Sequence, residues 1–324
     1  MQTTVVGSYP KIPNRPRPAR LRAAIGRLDR GEITHEELAR IQDEVTVEVI
    51  QEQVEAGVDL ITDGQVRWDD DQTHIARRLD GFQIGGLQRY LDTNTYYRQP
   101  EAAGAVAWKS PVLVRDYRFA VEHSAKPVKP IITGPYTLAA LSLEGHYSSR
   151  RDLTLAIAEA LREEVEALET EAPPLIQINE PLILRNPDDL PVLAEALKRM
   201  LAGVKVEVAL YTWFGSIEGV YPQLLDLPVD TFGIDFVSKP GNWDVIGRAR
   251  FDKKLGLGIV DGRNTRLESE DEIARAIERM SEIVPAERLY VNPSCGLEYL
   301  PREVAFEKLK RMVQGVRRAQ GVAA

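Results

Sequence analysis

A single cysteine, Cys295, stands in 324 residues, so no intrachain disulfide can form and a reducing compartment, the cytoplasm, fits. Positive charge is also short: 41 Lys and Arg against 49 Asp and Glu leave −8. A nucleic-acid-binding surface needs a basic face, and that balance argues against one. No apolar run approaches the roughly 20 residues that cross a bilayer. The opening residues lack the charged start and apolar core of a secretory leader, so none is predicted. Neither G-x-x-x-x-G-K-[ST] nor a post-strand G-x-G-x-x-G occurs, which removes the common phosphate cradles. Only four histidines are present, and none of them closes an apolar run; His74 and His146 read as surface residues.

What is present is a rhythm. Eight short apolar runs, 3–8, 58–64, 128–134, 175–181, 204–212, 229–236, 255–261 and 289–295, alternate with helical patterns. Most are continuously apolar, as strands buried on both faces are. Thr34 with Glu37, and Ser269 with Glu272, form capping boxes. The first opens a helix to about Glu55, stopped at Gly57; the second opens a helix to about Ile283. A third helix is predicted over 151–171, and Pro301 belongs in the first turn of the last. The pattern predicts one α/β domain over residues 1–324, a (β/α)8 TIM barrel, with an open doubly wound sheet as the alternative. Two connections, 9–33 and 66–110, are too long for plain loops. Both follow strand ends, on the face where barrels carry their chemistry.

Polar residues end every run: Ser8, Asp63, Gln65, Thr137, Asn179, Glu180, Tyr211, Asp235, Asp261 and Cys295. A cleft for a polar small molecule is the simplest reading. Gly7 lets backbone approach a ligand and Ser8 adds a donor and an acceptor. Glu180, ahead of Pro181, is a carboxylate at a strand mouth and reads as catalytic, as does Asp63. Each also has a structural reading: Asp63 as a helix cap, Asn179 and Asp235 as rim groups, Cys295 as a buried inert thiol.

Taken in order, the segments resemble cobalamin-independent methionine synthase, its C-terminal catalytic barrel and its shorter archaeal relatives. Val6-Gly7-Ser8-Tyr9-Pro10 is similar to the family's [IV]-G-S-[FY]-P, and Gly134-Pro135-Tyr136-Thr137 to its G-P-x-T. Gln177-Ile178-Asn179-Glu180-Pro181 is similar to Q-[IV]-D-E-P, and Asn292-Pro293-Ser294-Cys295-Gly296-Leu297 to N-P-D-C-G-L. The resemblance implies methyl transfer from a methylated folate, or a corrinoid, to a thiol such as homocysteine, with zinc holding the thiolate. It implies substrate contacts at Gly7, Ser8, Gln65, Thr137, Asn179 and Trp213. Of the family's zinc ligands it leaves Cys295 and Asp235; Tyr211 and Trp213 fall where the His and Cys stand. Gln65 and Asn179 replace family carboxylates. That loss of negative charge suggests a less cationic or more aromatic ligand, stacked on Tyr211 and Trp213.

Two alternatives stay open on the same fold: a metal-free lyase of the uroporphyrinogen decarboxylase kind, using Asp63 and Arg67, and a ligand-binding protein without chemistry. A helper or methyl-donor protein is a further candidate partner. The stretch Arg15-Pro16-Arg17-Pro18-Ala19-Arg20 reads as a solvated loop, with a phosphate or polyglutamate contact as the sharper reading.

Overall fold

The computed structural model describes residues 1–13 and 16–321, so Arg15 lies outside the described residues. Among the described residues nine strands run in chain order: β1 Gln2–Thr3, β2 Asp80–Arg89, β3 Tyr96–Ala107, β4 Ile131–Thr133, β5 Ile176–Asn179, β6 Val208–Tyr211, β7 Thr231–Asp235, β8 Lys254–Val260 and β9 Leu289–Pro293. Seven of them form one parallel sheet in the order β1-β9-β8-β7-β6-β5-β4. Residues 58–64, expected as a strand, contribute only isolated parallel bridges, Thr4 to Leu60 and Ile61 to Val128. These bridges lie between the two ends of the sheet. The ladder is thin here because side chains bond the backbone in its place. Thr62 Oγ1 donates to the Gly7 carbonyl at 2.7 Å, and the Gln53 amide donates to the Thr62 carbonyl at 2.9 Å.

Helices α1 Arg20–Asp29, α2 His35–Glu55, α3 Asp71–Ala76, α4 Val114–Glu122, α5 Pro135–Ala140, α6 Arg150–Glu169, α7 Leu190–Met200, α8 Asn242–Ile246, α9 Glu270–Ser281 and α10 Arg302–Ala319 fill the connections. Both capping boxes form, and α2 ends at Glu55 with Gly57 at φ +87°. Pro301 is the residue before α10 rather than its first turn. One hydrophobic cluster runs from Val5 to Val316. Among the described residues no helix is long and apolar enough to cross a membrane.

The 66–110 connection folds into α3 and an antiparallel hairpin, β2 with β3. Buried Glu164 on α6 anchors the hairpin's exit: its carboxylate accepts from Trp108 Nε1 and the Val112 and Leu113 backbone N–H groups, all at 2.8 Å. At the hairpin's turn, Asp92 is held from two other connections, by Arg185 beyond β5 and by Arg263 beyond β8. The hairpin therefore straps the C-terminal mouth of the sheet.

Candidate active site

Beneath that strap lies a cleft of about 340 Å³. Ser8 and Gln65 come from the sheet mouth, Lys11 from the segment after Ser8, Trp68 to Gln72 from the start of α3, Tyr90, Tyr96 and Tyr97 from the hairpin, and Glu298 and Tyr299 from beyond β9. The aromatic walls are thus Trp68, Tyr90, Tyr96, Tyr97 and Tyr299.

The acidic residues of the cleft differ in what they are free to do. Asp70 caps α3, accepting from the Gln72 and Thr73 N–H groups. Asp69 pairs with Arg77 at 2.7 Å. Glu298 is open to the cleft and takes the Ser8 hydroxyl. Asp71 bonds Thr133 only through its backbone carbonyl, and its carboxylate has no hydrogen-bond or ion-pair partner among the described residues. Enclosure pushes Asp71 up to about 7, with the charges of Glu298 and Asp70 adding to the effect. The Lys11 ammonium donates to the Trp68 carbonyl and is lowered by burial.

The two carboxylates read as catalytic lie elsewhere. Glu180 is fully buried, and its oxygens accept from the Tyr136 and Thr137 backbone N–H groups at 2.9 and 2.7 Å. It pins the start of α5, and burial raises it to about 7. Thr137 is spent in the same contact and lines no part of the cleft. Asp63 accepts from the Gln65 N–H at 2.9 Å and holds that residue at φ +52°, a conformation side chains other than glycine seldom adopt. Burial, with Asp116 adding, raises Asp63 to about 6. Arg67, its partner in the lyase reading, is tied to Asp43 and Asp116 and stacks on Phe119 at 4.7 Å, off the cleft. Asn179 accepts from Gln177 at 2.8 Å and is likewise outside the cleft lining. Gly7, at φ +152°, approaches Gln65 so closely that an added Cβ would sit 3.0 Å from Oε1.

The mouth of β6 is a filled region. Tyr211 turns inward across β7 and β8, where Gly233 and Gly256 leave the room: a Cβ on Gly256 would lie 2.6 Å from the Tyr211 hydroxyl oxygen. Burial raises the phenol, so it stays protonated. Lys129 Nζ sits 4.9 Å from the ring centre, and burial lowers it well below the usual lysine range. Trp213 packs on Phe214, centroids 6.5 Å apart, and Phe214 packs on Tyr299 at 6.1 Å. Trp213 lines no part of the cleft but bonds Tyr90 of its wall, and the expected stacking faces of Tyr211 and Trp213 are replaced by rings of the hairpin and of Tyr299. His74, expected at the surface, is 2% exposed and stacks on Trp68 at 4.5 Å.

The side chains left for zinc are Asp235 and Cys295. Asp235 accepts from the Phe214, Val237 and Ser238 N–H groups at 3.1, 2.9 and 2.9 Å and from the Ser238 hydroxyl. Cys295 is buried, donates to the Gly296 carbonyl at 3.3 Å, and is pushed well above the usual thiol range by burial, with Glu298 and Asp235 adding. Among the described residues no group of three His, Cys, Asp or Glu could hold a metal. The side chains do not fit zinc, which asks for three protein ligands beside a substrate.

Sequence reasoning placed Ser8 and Gln65 in the cleft and missed Lys11, Asp71, Gln72 and Glu298. A signal existed: three consecutive aspartates directly after Trp68, and a glutamate directly after the Cys295-Gly296-Leu297 run.

Comparison with known proteins agrees with this architecture. The family described as cobalamin-independent synthase, catalytic domain, matches residues 1–318. The methionine synthase of Saccharolobus solfataricus is 34% identical over 321 residues, covering 98% of this chain and 94% of that protein. The methionine synthase of Sulfolobus acidocaldarius is 32% identical over 317 residues, covering 97% and 91%. A B12-independent methionine synthase from a Shewanella species, solved with selenomethionine, superposes with a TM-score of 0.85 at 23% identity, over 99% of this chain and 98% of that one. A Methanosarcina mazei methyltransferase gives 0.64 at 14%, over 97% and 94%. At those identities the two structures speak for the fold.

Proposed function

The chain belongs to the cobalamin-independent synthase family through its catalytic domain, and from that premise we propose an S-methyltransferase that moves a methyl group onto the thiol of homocysteine or a close analogue. The acceptor sulfur, as thiolate, forms the new S–CH3 bond, and the carrier keeps the electron pair of the bond that breaks. A methylated folate is the donor of this reading, with a corrinoid as the second candidate. The observation that carries it is the cleft itself: Ser8 and Gln65 of the matched segments open into an enclosed, aromatic and polar space at the sheet mouth.

The seven-stranded sheet with its two bridges supports one closed eight-stranded barrel, residues 58–64 supplying the remaining stave, in a single domain. The lone thiol fits a cytoplasmic protein. In this reading Glu180 and Asp63 are positioning residues: one fixes α5, the other the strained Gln65. The hairpin excludes water from the reacting sulfur.

No step is routed through zinc. A thiol without a metal ionises near its ordinary value of about 8.5, so kcat/KM for homocysteine should climb as pH rises to roughly that value. The test is purified protein with L-homocysteine and either methyltetrahydrofolate or methylcobalamin carrying a labelled methyl group, read as labelled methionine. Label in methionine from either donor supports the proposal; none from both overturns it. Zinc by mass spectrometry after dialysis should be far below one per chain, and one retained equivalent would reverse the donor argument.

A further inference from the structure

When the new S–CH3 bond forms, the electron pair of the broken bond stays on the carrier. On the nitrogen of a methylated folate that pair is strongly basic, and a positioned acid that protonates it speeds such a step by about 10²–10⁴-fold. Four carboxyl groups line the cleft. Asp69 is taken up by Arg77, and Asp70 by the N–H groups that open α3. Glu298 accepts the Ser8 hydroxyl, which favours its anion. Asp71 alone has a carboxyl without a hydrogen-bond or ion-pair partner among the described residues. Its charge reaches Lys11 after β1, Tyr90 on the hairpin and Tyr299 beyond β9, so the carboxyl faces the same space as all three. Beside it Gln72, 2% exposed, has an amide nitrogen without a partner, so this wall is open to a ligand.

The other groups facing Asp71 are unsuited to the same task. Enclosure raises the Tyr90 and Tyr299 phenols and makes them still weaker acids. Lys11 gives its ammonium to the Trp68 carbonyl. Glu298 and Asp70 oppose ionisation of Asp71, and Lys11 favours it. Two carboxyls in one enclosure part in this way: the one that receives a hydrogen bond ionises, and the other keeps its proton. We infer that Asp71 is the acid of the reaction, giving its carboxyl proton to the methylated nitrogen of a folate as that nitrogen's bond to carbon breaks. This rests on the methyl-transfer reading with a folate donor. The thiol's proton leaves to solvent when the thiolate forms. Asp71 is left as carboxylate and regains a proton from solvent as the products depart, so thiol and methylated amine give thioether and N–H amine in balance. Enclosure holds Asp71 at about 7, near the pH at which such an acid works best.

The test is the ratio of initial rates, wild type over Asp71→Asn, with methyltetrahydrofolate and L-homocysteine from about pH 6 to about pH 9. Ionisation of the thiol is common to both proteins and cancels. The ratio should stand at about 100 at the acid end and shrink about 10-fold or more as pH rises through 7. With methylcobalamin, whose cobalt keeps its electron pair without a proton, the ratio at the acid end should be about 10-fold smaller or less. The climb with pH expected of the acceptor thiol is then seen whole with methylcobalamin and cut short with the folate. A melting curve establishes that the variant is folded, and Asp71→Ser stands in where it is not. A ratio that grows with pH makes Asp71 an anionic binding group and overturns the inference. So do a flat ratio, an equal loss with both donors, and transfer from methylcobalamin alone; each of these leaves methyl transfer standing. No transfer from either donor in the wild type ends that reading and this inference with it.

Discussion

Two neighbouring regions at one end of the sheet are built on opposite terms. Around the mouth of β6 the space is filled: Tyr211 packs over Gly233 and Gly256, Asp235 accepts four hydrogen bonds, and the buried Lys129 ammonium, without a hydrogen-bond partner, rests against the Tyr211 ring. Under the hairpin, a carboxylate and two amides stand without partners around an open space. A filled region leaves no room for a ligand, whereas unmet polar groups around an open space can take one. The difference shifts attention from where family resemblance put the chemistry toward the cleft that 66–110 builds.

The largest effect should come from crowding the filled side. Gly233→Ala would drive a methyl into the Tyr211 ring, and overpacking at such a contact costs about 3 kcal/mol. Gly86→Ala, on the hairpin with nothing within 4 Å of the added methyl, should change little. Urea denaturation of the pair checks this, and equal midpoints would show that the ring has slack.

A smaller loss is expected at the pin between the regions. Glu180→Gln turns an amide NH2 toward a backbone N–H and should cost about 2 kcal/mol. Because burial raises Glu180 from 4.5 to about 7, the folded state holds the proton more tightly than the unfolded chain. Its contribution is full below about 4.5 and is lost as pH rises toward 7. Denaturation midpoints across that window should fall in the wild type more steeply than in the variant; parallel curves would mean Glu180 does not titrate there.

The smallest effect sharpens the open side. Asp71, raised to about 7 by enclosure, Glu298 and Asp70, also loses stability as pH climbs from its unfolded value, with Lys11 the opposing charge. Asp71→Asn should therefore melt slightly higher than wild type at pH 8 and no higher at pH 4. A variant less stable at pH 8 would mean the carboxylate already has a partner.

Much of this was legible. Continuous apolar runs and two capping boxes gave the alternation and the helix starts, because strand burial and cap hydrogen bonds are local properties of sequence. The run 58–64 forms two bridges rather than a full ladder, since the Gln53 side chain takes the Thr62 backbone N–H and carbonyl. His74 was misjudged because nothing in its neighbourhood in sequence announces that Trp68 folds back to stack on it. Glu180 was legible as a buried strand-end carboxylate, but its partners, the N–H groups of α5, lie more than forty residues away.

By itself the sequence determined the βα alternation, the two capped helix starts and the family to which the chain belongs, because periodicity, caps and short motifs act within a few residues. Only the tertiary structure decided which polar groups are spent and which are free. That depends on contacts between distant segments, such as Glu298 meeting Ser8 and the hairpin closing over Asp71, which no local pattern encodes.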